Sequence, residues 1–199
     1  MSRPRRYPSG SSASDESFFD RAVQICEVGI VASIFLIHCF SNGVRHFCIY
    51  HSDDKDSLSC EENNRILCFS DRLRAVQYLA DRHLSLDMED DAEGYDFDAL
   101  DRWVKSDDFT IDCYTILNFW NLFTDIAYSV RKKFSGDRKS ELTNLIYKKL
   151  FFGNNLPAIK PSDEADYKPI WDSKQVATIK VIMKDGLDIW QKSVKFDPV

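Results

Sequence analysis

Several things are scarce or missing in this chain, and each closes off a class of protein. Glycine and proline number only seven and six in 199 residues, too few for a linker-rich or fibrous chain. No apolar run is longer than "VGIVASIFLI", residues 28–37, and that falls well short of the roughly 20 residues that span a bilayer. Arg3, Arg5 and Arg6 lie upstream of it, as in a signal peptide. Asp15, Glu16, Asp20 and Glu27 intervene, however, and no small-residue cleavage site follows. His38 before Cys39 spoils a lipoprotein-type site, so the run reads as a buried strand. Phosphate loops and dinucleotide fingerprints are absent. So are Cys-x-x-Cys pairs, internal repeats and any nucleophile signature. The expectation is a chain without cofactor or metal, and without an enzyme's catalytic set.

What is present has a globular balance: 44% apolar, 29% charged and 13% aromatic residues, enough bulky surface for one sizeable core. Residues 1–17, rich in Pro, Ser and Arg, read as a disordered tail. Residues 18–199 read as one α+β domain. Six cysteines (26, 39, 48, 60, 68 and 113) occur in a chain too long for a small disulfide scaffold. Cys39, Cys48 and Cys68 sit inside apolar runs, as buried free thiols do. A reducing, cytoplasmic setting is expected.

Asn42-Gly43 separates two β-rich runs and is a strong hairpin signal, because a type I′ turn needs positive φ at both positions. Pairing about it sets Cys39 opposite His46 and Ile37 opposite Cys48. One face then carries Phe35, Ile37, Cys39, His46, Cys48 and Tyr50. The other carries Ile34, Leu36, His38, Phe40, Phe47 and Ile49. Both faces are largely apolar, so both should be covered. "RILCF", 65–69, reads as a third strand. Ser70 is placed to cap a helix with Leu73, Val76, Leu79 and Ala80 on its inner stripe. Asp96 is placed to cap a second, carrying Phe97, Leu100, Trp103 and Val104. Residues 111–131 read as a central, mostly buried helix, with Trp120 in the core and a polar stripe of Asn118, Asn121 and Asp125. That stripe is expected to face solvent, or to bond the "FFGNN" turn or a partner. A fourth helix points Leu142, Leu145, Ile146 and Leu150 inward. A fifth starts near Asp172 and repeats Val176, Ile179, Met183, Leu187, Trp190 and Val194. The expected fold class is α+β: a small N-terminal antiparallel sheet of about three strands, packed on a helical C-terminal half of about five helices.

"DMEDDAEGYDFDALD", 87–101, holds eight carboxylates and no base, while the rest of the chain sums to +2. The acidity is therefore local. It opposes nucleic-acid binding, because phosphates repel it, and it suits docking on a basic protein. An EF-hand reading fails: with Gly94 at position 6, Glu89 falls at position 1 and Leu100 at position 12. The candidate contact set is Asp87, Glu89, Asp90, Asp91, Glu93, Tyr95, Asp96 and Asp98. Tyr95, Phe97 and Trp103 are possible apolar anchors among the acids, or pins that hold the segment to the core. Two other readings stay open. One is a hydrolase or thiol or metal enzyme built on Cys39, His46 and Cys48, whose thiolates and imidazole suit zinc. The other is an adaptor with a merely solvated acidic loop.

"YDFDALDRWV", "IDCYTILNFWNLFTDIAYS" and "YKKLFFGNNLPAI" resemble segments of small bacterial immunity proteins of contact-dependent-inhibition or polymorphic-toxin systems. The resemblance runs from residue 95 to 159 and assigns no individual residue. It implies a cytoplasmic antitoxin-like protein that neutralises a cognate toxin domain by binding it. Many such toxins are nucleases with basic clefts, which an acidic surface would complement. No nucleic acid, membrane or cofactor is implied.

Overall fold

The computed structural model describes residues 33–87, 93–157 and 165–196. These fall within one unit, residues 31–199. The tail, the first part of the 28–37 run, and Glu89, Asp90 and Asp91 lie outside the described residues.

Strands β1 (Ser33–Ser41) and β2 (Val44–Ser52) form the hairpin. Asn42 and Gly43 take φ of 53° and 74°, as a type I′ turn requires. The register sets Cys39 opposite His46 and Ile37 opposite Cys48, as read from the sequence. Strand β3 (Ser57–Leu58) adds antiparallel to β2. Strand β5 (Glu93–Asp96) adds parallel to β1, giving the order β3-β2-β1-β5. The sheet is thus mixed and has four strands. The 65–69 segment supplies β4 (Ile66–Cys68), which pairs in parallel with the C-terminal strand β6 (Val194–Phe196) in a separate two-stranded sheet. It touches β2 through an isolated antiparallel bridge, Phe47 to Phe69.

Five α-helices complete the described α+β fold: α1 (Arg72–Ala80), α2 (Phe97–Lys105), α3 (Cys113–Ser129), α4 (Glu141–Gly153) and α5 (Ser173–Ser193). Each begins at a side-chain cap: Asp71, Asp96, Asp112, Ser140 and Asp172. These side chains satisfy amides that a helix start otherwise leaves orphaned. At Asp172 the cap is a full capping box with Gln175. No described helix is long and apolar enough to cross a membrane.

Both hairpin faces are covered. Ile37, Cys39, Cys48 and Tyr50 join α2, α3 and α5 in the large core. Leu36 and Ile49 join Phe69, Ala75 and Leu79 in a smaller core under α1. Helix α3 lies at the centre, with Leu117, Trp120, Phe123, Ile126 and Ala127 buried. It crosses α5 closely. A Cβ on Gly186 of α5 would lie 2.1 Å from the Phe123 ring, so only glycine fits there. The α5 stripe from Val176 to Val194 is buried throughout.

Two helices and one strand differ from the sequence reading. Asp71, not Ser70, caps α1, and the buried positions are Ala75 and Leu79 while Leu73 is exposed. Ala75 and Leu79, one turn apart, form the stripe that packs on Leu36, Ile49 and Phe69. On α4, Thr143, Ile146 and Leu150 are buried and Leu145 is exposed. Glu93–Asp96 is a strand instead of loop, because the backbone of β1 offers it an open edge.

Candidate functional site

Strand β5 carries the acidic segment onto the sheet edge. Its register with β1 sets Tyr95 beside Cys39 and Asp96 beside Phe40. Asp96 then caps α2, accepting from the Ala99 amide at 2.7 Å. One turn on, Phe97 is buried. It stacks on Trp190 at 4.4 Å between centroids and meets Phe119 edge-on at 5.3 Å. Phe97 is therefore a core pin. Tyr95 and Trp103 are only partly buried, and Tyr95 meets Phe119 edge-on at 5.5 Å.

The loop from α2 to α3 folds back on Trp103. The indole N–H donates to the Thr110 carbonyl at 3.0 Å. Asp108 accepts from the Thr110 amide, and this bond, more than nearby Lys180, holds its carboxyl below the usual range. Asp112 caps α3 through the Tyr114 amide and the Thr115 hydroxyl. Between β5, α2 and the start of α3 lies a groove of about 560 Å³. Tyr95, Leu100, Trp103, Tyr114 and Phe119 line it, and Asp96, Asp108 and Asp112 stand among them. Tyr114, in the groove wall, and Phe109, in the adjoining loop, are 55% and 63% exposed. One of the lining rings, Trp103, already meets a cation. Lys180 of α5 donates to the Ser106 carbonyl and lies 5.0 Å from the Trp103 ring centroid and 5.7 Å from that of Phe109.

The segment that supplies this groove is acidic in sequence: residues 87–112 hold eleven acids against Arg102 and Lys105, and Asp96, Asp108 and Asp112 of these line the groove. The sequence-derived contact set ends at Asp98, so it omits Asp107, Asp108, Phe109, Asp112 and Tyr114. Extending the charge count past Lys105 would have found the acids. The rings need the fold of the α2–α3 loop.

Within the sequence-derived set, three carboxylates bond the chain's own backbone. Asp87 exchanges two bonds with Ile34: its carboxylate accepts from the Ile34 amide at 2.5 Å, and its amide donates to the Ile34 carbonyl at 2.9 Å. Asp98 accepts from the amides of Asn42 and Gly43 at 2.9 and 2.8 Å, tying α2 to the hairpin turn. Asp96 is the α2 cap. Glu93 lies in β5. Next to the set, Asp101 pairs with Lys105 at 2.5 Å on an exposed face.

Cys39, His46 and Cys48 do share a face, and Cys68 of β4 joins them. The Cys48 sulfur lies 3.9 Å from that of Cys39 and 3.2 Å from that of Cys68. All three thiols are buried to within 1%. Burial pushes Cys39 and Cys68 well above the usual thiol range, whereas hydrogen bonds from both neighbours hold Cys48 below it. His46 Nδ1 is buried with no hydrogen-bond partner, and burial lowers the pKa of the ring. Among the described residues no group of three His, Cys, Asp or Glu side chains is placed to hold a metal ion. Thiols this deep also offer a substrate no direct approach.

The polar stripe of α3 is divided: Asn121 is exposed, as expected, while Asn118 and Asp125 are half-buried. Tyr50 donates to Asp125 at 2.5 Å, and Tyr147 donates to Asn121 at 2.9 Å. Burial, with Asp56 and Asp137 near, pushes the Asp125 carboxyl up to about 6. Asn118 lines the groove.

No protein-family model matches the chain, and no curated protein matches it. Among solved structures, the C-terminal domain of SatS, crystallised in complex with bromine, is similar at a TM-score of 0.48 and 12% identity, covering 83% of this chain and 94% of that one. A likeness at that level carries no argument about function.

Proposed function

We propose that this chain is a non-catalytic binding protein that captures a basic protein segment in the groove between β5, α2 and α3. In keeping with the resemblance to immunity proteins, the partner is a toxin domain whose lysines and arginines the chain covers. One observation carries the reading: a groove with an aromatic floor and carboxylates among its walls, one of whose rings, Trp103, already meets the Lys180 ammonium. Aromatic faces attract cations, and neighbouring carboxylates add to that pull. The net charge of −9 over residues 87–112 supplies a field that speeds encounter with a basic surface, by about 10- to 1000-fold in comparable systems. Tyr114 and Phe109 supply the apolar anchors. The contact surface is accordingly centred on Tyr95, Trp103 and Tyr114 with Asp96, Asp108 and Asp112, which line the groove, and on Asp107 and Phe109 in the adjoining loop. Asp87 and Asp98 hold the fold beside it.

The test is co-expression with the C-terminal domain encoded by the neighbouring upstream reading frame, followed by stopped-flow association of the purified pair. The chain should relieve growth arrest. Association should slow at least tenfold between roughly 50 and 500 mM salt, as a steered encounter does. Asp107→Asn with Asp108→Asn should slow it further, and Tyr114→Ala should speed dissociation without moving Tm. Binding that ignores salt and all three substitutions would place the surface elsewhere.

A further inference from the structure

We propose that Cys48 and Cys68 are a modification site: a thiol pair that closes into a reversible disulfide under peroxide and staples β2 to β4. The geometry comes from the isolated bridge next to them. Phe47 and Phe69 exchange both backbone hydrogen bonds at 2.9 Å, so they are a hydrogen-bonded antiparallel pair. Cys48 and Cys68 are the first residues past that bridge on their two strands, before the Ile49 carbonyl and the Leu67 amide both turn to Ser59. Their sulfurs are already 3.2 Å apart. Cys39 is the competitor. Its sulfur is farther from Cys48, at 3.9 Å, and its direct cross-strand partner is His46, so it meets Cys48 only on the diagonal.

The chemistry balances with hydrogen peroxide as oxidant. The Cys48 sulfur attacks one peroxide oxygen and breaks the O–O bond, giving a sulfenic acid and one water. The Cys68 sulfur then attacks the Cys48 sulfur and expels the hydroxyl as a second water. Two thiols lose two electrons and two protons, both protons leave in water, and one S–S bond forms. Peroxide is small enough to enter through local opening of β4, which is only three residues long. The staple joins residues twenty positions apart. Because β4 pairs with β6, it also ties the hairpin to the strand that follows α5.

The experiment treats the full chain with hydrogen peroxide, blocks free thiols under denaturing conditions, and maps linked peptides by mass spectrometry. The expected result is a Cys48–Cys68 link with a loss of about 2 Da and full reversal by dithiothreitol. Closing a loop of this length should raise Tm by roughly 6–12 °C. Cys39→Ser should keep both the link and the rise, and Cys68→Ser should lose both. A dominant Cys39–Cys48 link, or Cys48 and Cys68 recovered as free thiols after treatment, would overturn the assignment. Mapping the unsubstituted chain decides this even if Cys68→Ser fails to fold. No partner is involved, so the outcome is independent of the docking reading.

Discussion

Asp98 looks from the sequence like a contact residue, and in the fold its carboxylate also ties helix α2 to the hairpin turn. Replacing it by alanine removes the acceptor for two amides, Asn42 and Gly43, at 2.9 and 2.8 Å. Both residues are exposed, so water takes over the amides and the cost stays below that of stranding buried groups. Loss of a comparable capping carboxylate costs about 0.5–2 kcal/mol. Asp98 also sits in the first turn of α2, where a negative charge stabilises the helix by about 0.3–1 kcal/mol. Together these give about 0.8–3 kcal/mol, or roughly 2–12 °C in Tm for a domain of this size. Asp98→Asn should lose nearly as much, because its amide nitrogen would face one of the two N–H groups. Thermal denaturation gives the first reading. Amide hydrogen exchange gives the second: Asn42 and Gly43 should exchange roughly tenfold faster, if the turn opens by about 1.4 kcal/mol more readily. If Asp98→Ala melts like the parent chain and the turn amides keep their exchange rates, the carboxylate does not hold the hairpin and belongs with the contact residues.

Asp125 predicts a pH dependence. Its folded pKa is raised from 3.8 to about 6, so the stability it contributes is full below pH 4 and is lost as pH rises through 6. Two units correspond to about 3 kcal/mol, reduced to about 1–2 kcal/mol by partial solvent access. Asp125→Asn should therefore be the more stable form by that amount in urea melts at pH 7.5, with no advantage at pH 4; an equal gain at both would point to another cause. Gly186→Ala tests the α3–α5 crossing. The new methyl meets the fully buried Phe123 ring at 2.1 Å, and overpacking should outweigh the helical preference for alanine by about 1–3 kcal/mol. A higher urea midpoint in this variant would mean that the helices do not approach so closely.

The parts of the fold legible in the sequence are those fixed by local chemistry. Asn42-Gly43 names its turn type through backbone φ, and the turn sets the register of the whole hairpin. Asp172 and the six apolar positions after it specify α5, because cap and stripe agree. The parts that were not legible depend on partners far away in the chain. Glu93-Gly94-Tyr95-Asp96 has few strand-forming residues and is a strand because β1 needs a neighbour. Cys68 joins Cys39 and Cys48 only because the chain returns through Phe69 to Phe47. The groove was half visible. Its acids show in composition, but Tyr114 becomes a wall only once Asp112 and Trp103 have set the α2–α3 loop.

That division bears on how so much like charge is tolerated. Asp96 and Asp112 sit at helix N-termini and Asp98 in a first turn, where peptide dipoles and unsatisfied amides favour anions. Their local stabilisation offsets part of the repulsion that eleven carboxylates in 26 residues would otherwise impose. A hydrogen bond to an amide does not cancel a charge, so these same groups still add to the field beyond the surface. Contact and steering are then separable properties. Within hydrogen-bond range, a carboxylate already engaged by Asn42 and Gly43 has little to offer a partner. Across a Debye length of about 8 Å, it counts as one charge among nine net. Asp98→Ala should thus slow association by no more than its share of the field while loosening the hairpin. Asp107→Asn and Asp108→Asn, in the loop that carries the exposed Phe109, remove charge while the latter keeps an oxygen for the Thr110 amide, and should affect association far more than folding.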